Sequence, residues 1–349
     1  MSNPPEKTLK KRFTTEIVKP TARNIALCTD EILRSGVVAF PTETVYGLGA
    51  NALDEKAVGR IFKIKGRPTD NPLIVHTHDF SLVKEFAASI PSIAKDLFAK
   101  FSPGPLTLIL RKKKCVPDIT TADLPSVAVR IPSHTTALTF LKACGVPLSA
   151  PSANRSGTPS PTTAQHVYDD LNGRLPFILD GGKCEIGLES TVLDIRGKTP
   201  KILRLGGLSL EDLSKAIGTV DLAPSSIGEG ETPLSPGMKY KHYAPKAKVV
   251  FSSYHERMHN GITEAYDKAK TEGKNPVILC LDAHKELYGA REKILMGKDY
   301  ATYAKAMFSA LRDADKSGYN LIIAEGVAPH GIGTAVIARM LKASDGTVI

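Results

Sequence analysis

Apolar residues in the first two thirds of the chain follow two patterns, short continuous runs and helical spacing. Helical spacing predicts a helix over 21–34, another over 54–65 with Asp54 as its N-cap, and a third near 162–171. Short apolar runs predict buried strands at 37–40, 73–76, 106–111, 127–131, 146–148, 177–180, 191–195 and 202–204. Many strands with fewer helices indicate a mixed α/β domain built around a twisted sheet.

The C-terminal part of the chain has a more regular rhythm, in which strands and helices alternate. Apolar runs predict strands at 248–251, 276–281 and 321–324. Amphipathic spacing predicts helices near 256–271, 301–317 and 334–342. This βαβαβα order is typical of a small doubly wound parallel sheet, a Rossmann-like unit. Residues 252–256, directly after its first strand, contain no GxGxxG motif, so we expect no dinucleotide site there.

A stretch rich in Pro and Gly, residues 223–246, separates these two patterns and has no apolar periodicity. Such a composition is typical of an interdomain linker, and a connection of this length is often functional. The sequence therefore predicts four parts: a basic N-terminal extension over 1–20, a large α/β domain over 21–222, the linker over 223–246, and a Rossmann-like domain over 247–349.

Composition narrows the class of protein. Of 349 residues, 42% are apolar and 23% are charged, which argues against disorder, collagen or a coiled coil for the whole chain. No apolar run approaches the ~18 residues of a membrane helix, so no membrane contact is predicted. Five scattered cysteines without CxxC spacing argue against a disulfide framework and a cysteine-rich zinc site. We expect a cytoplasmic protein, because the polar N-terminus lacks a hydrophobic signal core; whether its basic residues form an organellar presequence stays open.

Charge indicates the type of ligand. The net charge is +10, from 46 Lys and Arg against 36 Asp and Glu, and a basic surface attracts the phosphates of nucleotides or nucleic acids. The absence of Trp and the low aromatic content of 6% give little support for base stacking. Charge alone therefore does not separate a nucleotide-dependent enzyme from a weak RNA binder.

Two polar segments in the first domain carry candidate chemistry. Residues 41–49 (PTETVYGLG) place hydroxyls, a carboxylate and glycines directly after a buried strand, which suits either a ligand loop or a structural turn. Residues 63–72 carry three cations, among them Lys65 and Arg67, into a turn with two prolines. These cations suit a polyphosphate clamp, but they also suit the C-terminus of a helix.

Further candidates follow along the chain. Arg130 lies within an apolar run and needs either an anionic ligand, such as a carboxylate, or an internal Asp or Glu. Residues 149–160 (SAPSANRSGTPS) are dense in hydroxyls and amides, which suit phosphate and ribose but also initiate helices. His76 ends a predicted strand and is weak evidence for a ligand by itself. Residues 197–199 (GKT) are not a Walker A loop, because Val192 occupies the position of the required glycine.

Together these segments resemble the YrdC-type family, the threonylcarbamoyl-AMP synthases. The matching motifs follow the family's order over residues 21–210: PTETVYGLGANA, KIKGRPTDNPLIVH, SPGPLTLIL, VAVRIP, APSANRSGTPSPT, LDGG, ESTVLDI and ILRLGG. The linker motif SPGMKYKHYAPKA and the C-terminal alternation resemble the long, two-domain form of the family. The resemblance implies that the first domain is a twisted α/β sheet with a concave basic face.

The resemblance also implies a reaction. L-Threonine, bicarbonate (or CO2) and ATP would give L-threonylcarbamoyl-adenylate and pyrophosphate, with Mg²⁺ on the phosphates and no protein ligand for it recognisable in the sequence. A partner threonylcarbamoyl transferase complex would then transfer the threonylcarbamoyl group to an adenosine beside the tRNA anticodon. The implied class is therefore a nucleotidyltransferase of tRNA modification.

Site residues carry over from the family's motifs to the matching positions. The KxR…SxN signature implies a catalytic set of Lys65, Arg67, Ser152 and Asn154. The implied threonine set is Thr44, His76, Arg130, the backbone at Ala150, and Ser190. The implied ATP set is Arg67, Asn71, Ser126, Ser152, Ser160, Arg204 and Tyr243. The linker residues, which are either a lid over the site or a passive tether, include Lys239, Tyr240, His242 and Tyr243.

Two other interpretations belong to different classes of protein. One is a basic module that binds RNA without chemistry; the net charge favours it, and the scarcity of aromatic residues does not. The other is the related carbamoyl transfer of hydrogenase maturation, whose proteins carry cysteine-rich zinc modules that the absence of CxxC argues against. Pyrophosphate release that depends on threonine and bicarbonate distinguishes a synthase from an RNA-binding module.

Overall fold

The computed structural model describes residues 13–224, 233–236 and 243–349. Within these residues the larger sheet consists of β1 (Glu16–Val18), β2 (Val38–Phe40), β3 (Gly47–Asn51), β4 (Ile74–His76), β5 (Leu106–Arg111), β6 (Ser126–Arg130), β7 (Leu148–Ser149), β8 (Phe177–Leu179), β9 (Thr191–Asp194), β10 (Lys201–Arg204) and β11 (Asp221–Leu222). The helices that accompany it are α1 (Ala22–Leu33), α2 (Glu55–Lys65), α3 (Val83–Phe86), α4 (Ser92–Phe101), α5 (Asp118–Thr121), α6 (Thr135–Cys144), α7 (Ala164–Leu171) and α8 (Leu210–Ile217).

The strands of this sheet are hydrogen-bonded in the order β1-β8-β2-β3-β7-β4-β6-β5-β9-β10-β11. Parallel pairs, such as β4 with β6, occur beside antiparallel pairs, such as β5 with β6. The predicted mixed α/β sheet is therefore confirmed. One strand, β1, lies inside the segment predicted as an N-terminal extension, and it pairs with β8 with Glu16 opposite Phe177. A boundary at residue 20 thus leaves out a strand of the sheet, which is too short to show a periodic pattern.

Strand β3 is the main element of the first domain that the hydrophobic pattern did not predict. Its sequence, GLGAN, has two glycines, which weaken a strand and hide its alternation. It pairs antiparallel with β2, with Val38 opposite Gly49. A Cβ on Gly49 would lie 2.8 Å from the ring of Phe40, so the glycine lets that ring pack across the strand. The short strand β11 and helices α3, α4, α5, α6 and α8 were also not predicted.

A second, smaller sheet forms the C-terminal domain. Its strands are β12 (Lys248–Phe251), β13 (Pro276–Cys280), β14 (Lys293–Leu295) and β15 (Leu321–Ala324), and its helices are α9 (Met258–Thr271), α10 (Tyr300–Lys316) and α11 (Ile332–Ala343). The order is β12-β15-β13-β14 and every pair is parallel, which confirms the predicted Rossmann-like unit and adds β14 at its edge. No helix in the described ranges is both long and apolar enough to cross a lipid bilayer.

The C-terminal domain packs directly against loops of the first domain. One apolar core combines the inner faces of β12, β13, β15, α10 and α11 with Val45, Leu188 and Tyr243. Polar contacts cross the same boundary, because Arg312 binds Asp170 at 2.7 Å and the hydroxyls of Thr162 and Ser309 lie 3.0 Å apart. The contact surface therefore covers the loops that carry several of the predicted site residues.

Candidate active site

One cavity of the first domain brings most of the predicted site residues together. It is bordered by β4, β6 and β10, the connecting loops, and two parts of the linker. Nine predicted residues line it: Thr44, His76, Arg130, Ala150, Ser190, Arg67, Ser152, Arg204 and Tyr243. The complete threonine set and four members of the ATP set therefore share one cavity.

The turn between β2 and β3 holds Thr44 at this cavity. The Oγ1 of Thr42 accepts hydrogen bonds from the N–H groups of Thr44 and Val45, each at 3.2 Å, and donates to the carbonyl of Val45 at 2.6 Å. The Oγ1 of Thr44 lies 2.8 Å from that of Thr42. This segment is both a hydrogen-bonded turn and a cavity wall, so the two alternatives for residues 41–49 are compatible.

Arg130 ends β6 and has an internal anionic partner. Its Nη2 lies 2.7 Å from Oε1 of Glu43, and the two side chains are only 4% and 2% exposed. Its Nε donates to the carbonyl of Gly104 at 3.3 Å. Arg130 also lines the cavity. Arg130 therefore has the internal acidic partner that the sequence left open as one alternative. Its guanidinium also borders the cavity, where it can bind a carboxylate ligand.

His76 ends β4 and is neutral in this environment. Burial, assisted by the positive charge of Arg130, lowers the pKa of His76 to about 3. Its Nδ1 lies 3.1 Å from the carbonyl oxygen of Ile74, at hydrogen-bonding distance. At neutral pH the imidazole therefore offers hydrogen bonds to a ligand and carries no charge.

Lys65 and the SxN segment form one hydrogen-bonded unit. The Nζ of Lys65 donates to the backbone carbonyls of Ser152 and Asn154, the latter at 2.6 Å. The Oγ of Ser152 donates to Oδ1 of Asn154 at 2.6 Å, and the Nδ2 of Asn154 donates to the carbonyl of Thr158 at 2.8 Å. Burial and the nearby Arg67 lower the pKa of Lys65. In this geometry Lys65 positions Ser152, and only the serine of this pair lines the cavity.

Arg67 is held at the cavity by the backbone that follows it. Its Nη2 donates to the carbonyls of Asn71 and Pro72, each at 3.3 Å, and its side chain is 8% exposed. The turn 67–72 thus holds the guanidinium of Arg67 at the cavity. A phosphate clamp was predicted for this segment. Asn71 itself is buried and does not line the cavity.

Arg204 and Ser190 form another part of the cavity wall. The Nε and Nη2 of Arg204 donate to the carbonyl of Ser190 at 3.1 and 3.0 Å, and Nη2 also lies 3.1 Å from the Ser190 hydroxyl. Burial lowers the pKa of Arg204 to about 10, which leaves it charged at neutral pH. A Cβ on Gly206 would lie 2.2 Å from the carbonyl oxygen of Glu189, so this close approach of two chain segments requires glycine.

The C-terminal domain contributes a charge to this wall. The Nε of Arg339, on α11, donates to Oε2 of Glu189 at 2.9 Å, and Ser160 donates to Oε1 of the same carboxylate at 2.7 Å. Burial raises the pKa of Glu189, but Arg339 and Arg204 outweigh it and bring the pKa down to about 2. Tyr243 lies against Arg339, with the guanidinium 5.6 Å from its ring centre.

Five predicted residues do not line the cavity: Lys65, Asn154, Asn71, Ser126 and Ser160. Three of them support residues that do, since Lys65 and Asn154 hold Ser152, and Ser160 binds Glu189. Ser126 begins β6 on the same face as Arg130, four residues later, because side chains alternate along a strand. A ligand that extends along this face would reach it, and its ATP role stays a prediction.

Sequence reasoning missed Glu43, Glu189 and Arg339 as site residues. Glu43 was noted as the carboxylate of the 41–49 segment but was given no role, and Glu189 directly precedes the predicted Ser190. A signal for Arg339 was available, because it is a charged residue on the apolar face of α11, one position before the buried Met340. Such a residue needs a buried anion, but the sequence does not say which one.

The linker meets the cavity at the two points that the structure describes. Pro236 and Tyr243 both line it, and Tyr243 is 4% exposed and packs 5.2 Å from the ring of Phe308. Lys239, Tyr240 and His242 lie outside the described residues, so the proposed lid stays a prediction.

A larger cavity elsewhere, between α1, α2 and residues 173–176, has none of the predicted site residues in its walls.

Comparison with known proteins shows the family to which this chain is related. Residues 30–206 match a family model described as "Telomere recombination", which groups Sua5, YciO and YrdC proteins, and residues 208–345 match the model of the threonylcarbamoyl-AMP synthase C-terminal domain. A threonylcarbamoyl-AMP synthase of Pyrococcus abyssi is 46% identical over 91% of this chain and 93% of its own. The chain belongs to the threonylcarbamoyl-AMP synthase family.

Other members of the family extend this likeness over the full length. A threonylcarbamoyl-AMP synthase of Bacillus subtilis is 40% identical over 97% of this chain and 99% of its own. The crystal structure of P. abyssi Sua5 complexed with L-threonine superimposes with a TM-score of 0.91 at 43% identity, covering 96% of this chain and 99% of that one. The resemblance seen in the motifs is therefore confirmed, together with the two-domain fold.

Proposed function

We propose that this chain synthesises L-threonylcarbamoyl-adenylate from L-threonine, bicarbonate (or CO2) and ATP, with release of pyrophosphate. One observation carries the proposal: the complete threonine set and Arg67, Ser152, Arg204 and Tyr243 of the ATP set line a single cavity. Two substrates that must react with each other require such a common site. Membership of the family and the likeness to a threonine-bound relative support the same reaction.

The chemistry fits a site without a side-chain nucleophile. The amine of threonine first captures CO2 as a carbamate, the carbamate oxygen attacks the α-phosphorus of ATP, and pyrophosphate leaves with the electron pair of the broken P–O bond. The protein has to hold anions that repel one another and to neutralise the charge that develops. Arg67, Arg130 and Arg204 surround the cavity and supply this positive charge.

Threonine would be bound by hydroxyls and a guanidinium. In our proposal Arg130 binds its carboxylate while remaining paired with Glu43 at 2.7 Å. Thr44 and Ser190 offer hydroxyls to its polar groups, and the neutral His76 adds a further hydrogen-bonding position. The buried walls would exclude water, which protects the labile carbamate and adenylate from hydrolysis.

Mg²⁺ would enter with ATP and be held mostly by phosphate oxygens and water. Among the described lining residues the carboxylate is that of Glu189, and its two oxygens already bind Ser160 and Arg339. Glu43 is paired with Arg130. The protein groups present at the cavity therefore fit phosphate anions better than a bare cation.

Later steps of the pathway stay predictions. The product is an activated acyl-adenylate, which we expect a threonylcarbamoyl transferase complex to use on an adenosine beside the tRNA anticodon, and the net charge of +10 is compatible with weak RNA binding. A cytoplasmic location is supported by the five cysteines, all of which are free thiols, four of them buried.

Pyrophosphate release from ATP tests the proposal directly. We expect release that requires both threonine and bicarbonate when all amino acids are compared. Thr44→Val should raise the KM for threonine about tenfold, since it removes a hydroxyl at the cavity, and should change kcat little. Thr139→Val, at an exposed position on α6, is the matched control. Release that ignores threonine, or an unchanged KM in Thr44→Val, would contradict the assignment.

A further inference from the structure

The C-terminal domain collects metal-ligating side chains at one edge of its sheet. All four strands are parallel, so their carboxyl ends lie at the same edge, where open α/β sheets bind ligands. His259 begins α9 after β12, His284 follows β13, and Glu325 comes directly after β15. Three chain segments that are distant in sequence therefore converge there.

The ligand atoms of these three side chains are close together. One nitrogen or oxygen atom from each lies within 4.8 Å of the others. The Nδ1 atoms of His259 and His284 are 3.3 and 3.0 Å from Oε1 of Glu325. Atoms bound 2.0–2.1 Å from a tetrahedral Zn²⁺ lie about 3.3 Å from one another, so these separations match two edges of such a site.

Two hydrogen bonds from the protein hold the carboxylate of Glu325 in place. Glu325 is 1% exposed; its Oε2 accepts from the N–H of Leu281 at 2.8 Å, and its Oε1 accepts from the hydroxyl of Tyr288 at 2.6 Å. Hydrogen bonds of this kind orient the carboxylate ligands of metal sites. The side chains of His259 and His284 are 23% and 28% exposed, so the cluster is partly accessible to solvent.

We propose that His259, His284 and Glu325 bind a divalent transition metal such as Zn²⁺, with a fourth position open to water or an anionic oxygen. Two imidazoles and one carboxylate form a donor set typical of zinc sites that keep an open position. The Nδ1 of His259 also lies 2.8 Å from the hydroxyl of Tyr288, which itself donates to Glu325, so metal binding would shift the imidazole protons to Nε2 and leave the Nδ1 lone pairs for the metal. This site belongs to the C-terminal domain and shares no residue with the cavity.

Metal titration of the purified full chain tests this site without reference to activity. After chelator treatment, Zn²⁺ added in competition with a chromophoric chelator should bind with one equivalent per chain and a Kd of about 1 μM or lower. We expect His284→Gln, which keeps a hydrogen-bond donor near Glu325 but loses the imidazole ligand, to weaken binding about 100-fold. His330→Ala, an exposed histidine of the same domain, is the control and should bind as the wild type does.

Thermal unfolding supplies an independent readout. Bound Zn²⁺ should raise the Tm of the wild type and of His330→Ala, but not that of His284→Gln or of the second variant, His259→Gln. Both variants alter partly exposed side chains, so their metal-free Tm shows whether they fold. Equal Zn²⁺ affinity in all four proteins would mean an adventitious ion only, and no stoichiometric binding to the wild type would leave a hydrogen-bonded His–Glu–Tyr network; either result overturns the proposal.

Discussion

Replacing Arg339 by Met tests how the C-terminal domain contributes to the cavity wall. Arg339 is 3% exposed, and its Nε donates to Glu189 at 2.9 Å. Methionine keeps much of the apolar stem but removes the cation that contributes most to the low pKa of Glu189. The buried carboxylate would keep the hydroxyl of Ser160 and the charge of Arg204, and would lose its ion pair.

The cost of breaking a buried ion pair gives the size of the effect. Burial raises the pKa of Glu189, and Arg339 together with Arg204 brings it from 4.5 down to about 2, so the charged carboxylate depends on both cations. Breaking a buried ion pair by removing one partner typically costs about 3–5 kcal/mol. We therefore expect Arg339→Met to lower the free energy of unfolding by about 3 kcal/mol at pH 7.

The pH dependence of this loss has a definite sign. A carboxylate whose pKa is lowered by folding stabilises the protein fully above its unfolded value of 4.5, and that contribution disappears as the pH falls toward about 2. The stability difference between wild type and Arg339→Met should therefore be largest at neutral pH and should shrink as the pH falls below 4.5. Urea unfolding at several pH values measures it.

A double-mutant cycle with Glu189→Gln isolates the pair. The double variant should be more stable than Arg339→Met alone, because neither buried charge is then left without its partner. As a control, Arg291→Met breaks an ion pair in which Asp267 is 54% exposed, and should cost less than about 1 kcal/mol. Additive effects of the two substitutions, or a stability difference that does not change with pH, would refute the reasoning.

Two further predictions concern buried cations and histidines. Lys65→Met removes the ammonium that holds the carbonyls of Ser152 and Asn154, so we expect kcat/KM for ATP to fall about 100-fold in the pyrophosphate assay, while the exposed control Lys63→Met stays near wild type. The lowered pKa of His76, about 3, means that between pH 6.5 and about 3 this side chain binds a proton only in the unfolded state, so within that range stability falls by at most about 1.4 kcal/mol for each pH unit. Urea midpoints that do not fall between pH 6.5 and 5 would contradict this.

The strands that the sequence predicted best are short, mostly apolar runs, namely LTLILR, KVVF and LIIA. The observed bounds of β5, β12 and β15 match the predicted ranges residue for residue. Both faces of each strand pack against other side chains, so apolar residues do not alternate with polar ones along it. The apolar run alone therefore predicts the strand. Helix α2 was also predicted within one residue, because Asp54 caps it as expected through its side-chain oxygen.

The elements that the sequence missed depend on contacts from elsewhere in the chain. Strand β3 exists because Gly47 and Gly49 leave space for Phe40, a condition that no local pattern shows. Strand β1 has three residues and owes its conformation to pairing with β8, about 160 positions later. Tertiary pairing overrides weak local preference in both cases.

The family motifs predicted most of the residues that line the cavity. The chemical character of local segments predicted fewer of them. Local patterns marked Lys65, Arg67 and the 149–160 segment as polar clusters but left a structural alternative for each. For Lys65 the structure shows a supporting contact, since its ammonium stabilises the backbone that presents Ser152, and its direct role toward phosphate stays a prediction. What the sequence could not give are the pairings between distant charges, such as Arg130 with Glu43 and Arg339 with Glu189.

These pairings explain how a site for several anions stays folded without them. Three arginines around one small cavity would repel one another, and each buried cation would carry a large desolvation cost if left alone. Glu43 offsets that cost through its ion pair with Arg130, and Glu189 does so through the charges of Arg339 and Arg204, so the guanidinium groups are already oriented before a ligand binds. Because Arg339 belongs to α11, the C-terminal domain takes part in this arrangement of charges, and residues of both domains hold the cavity wall in place.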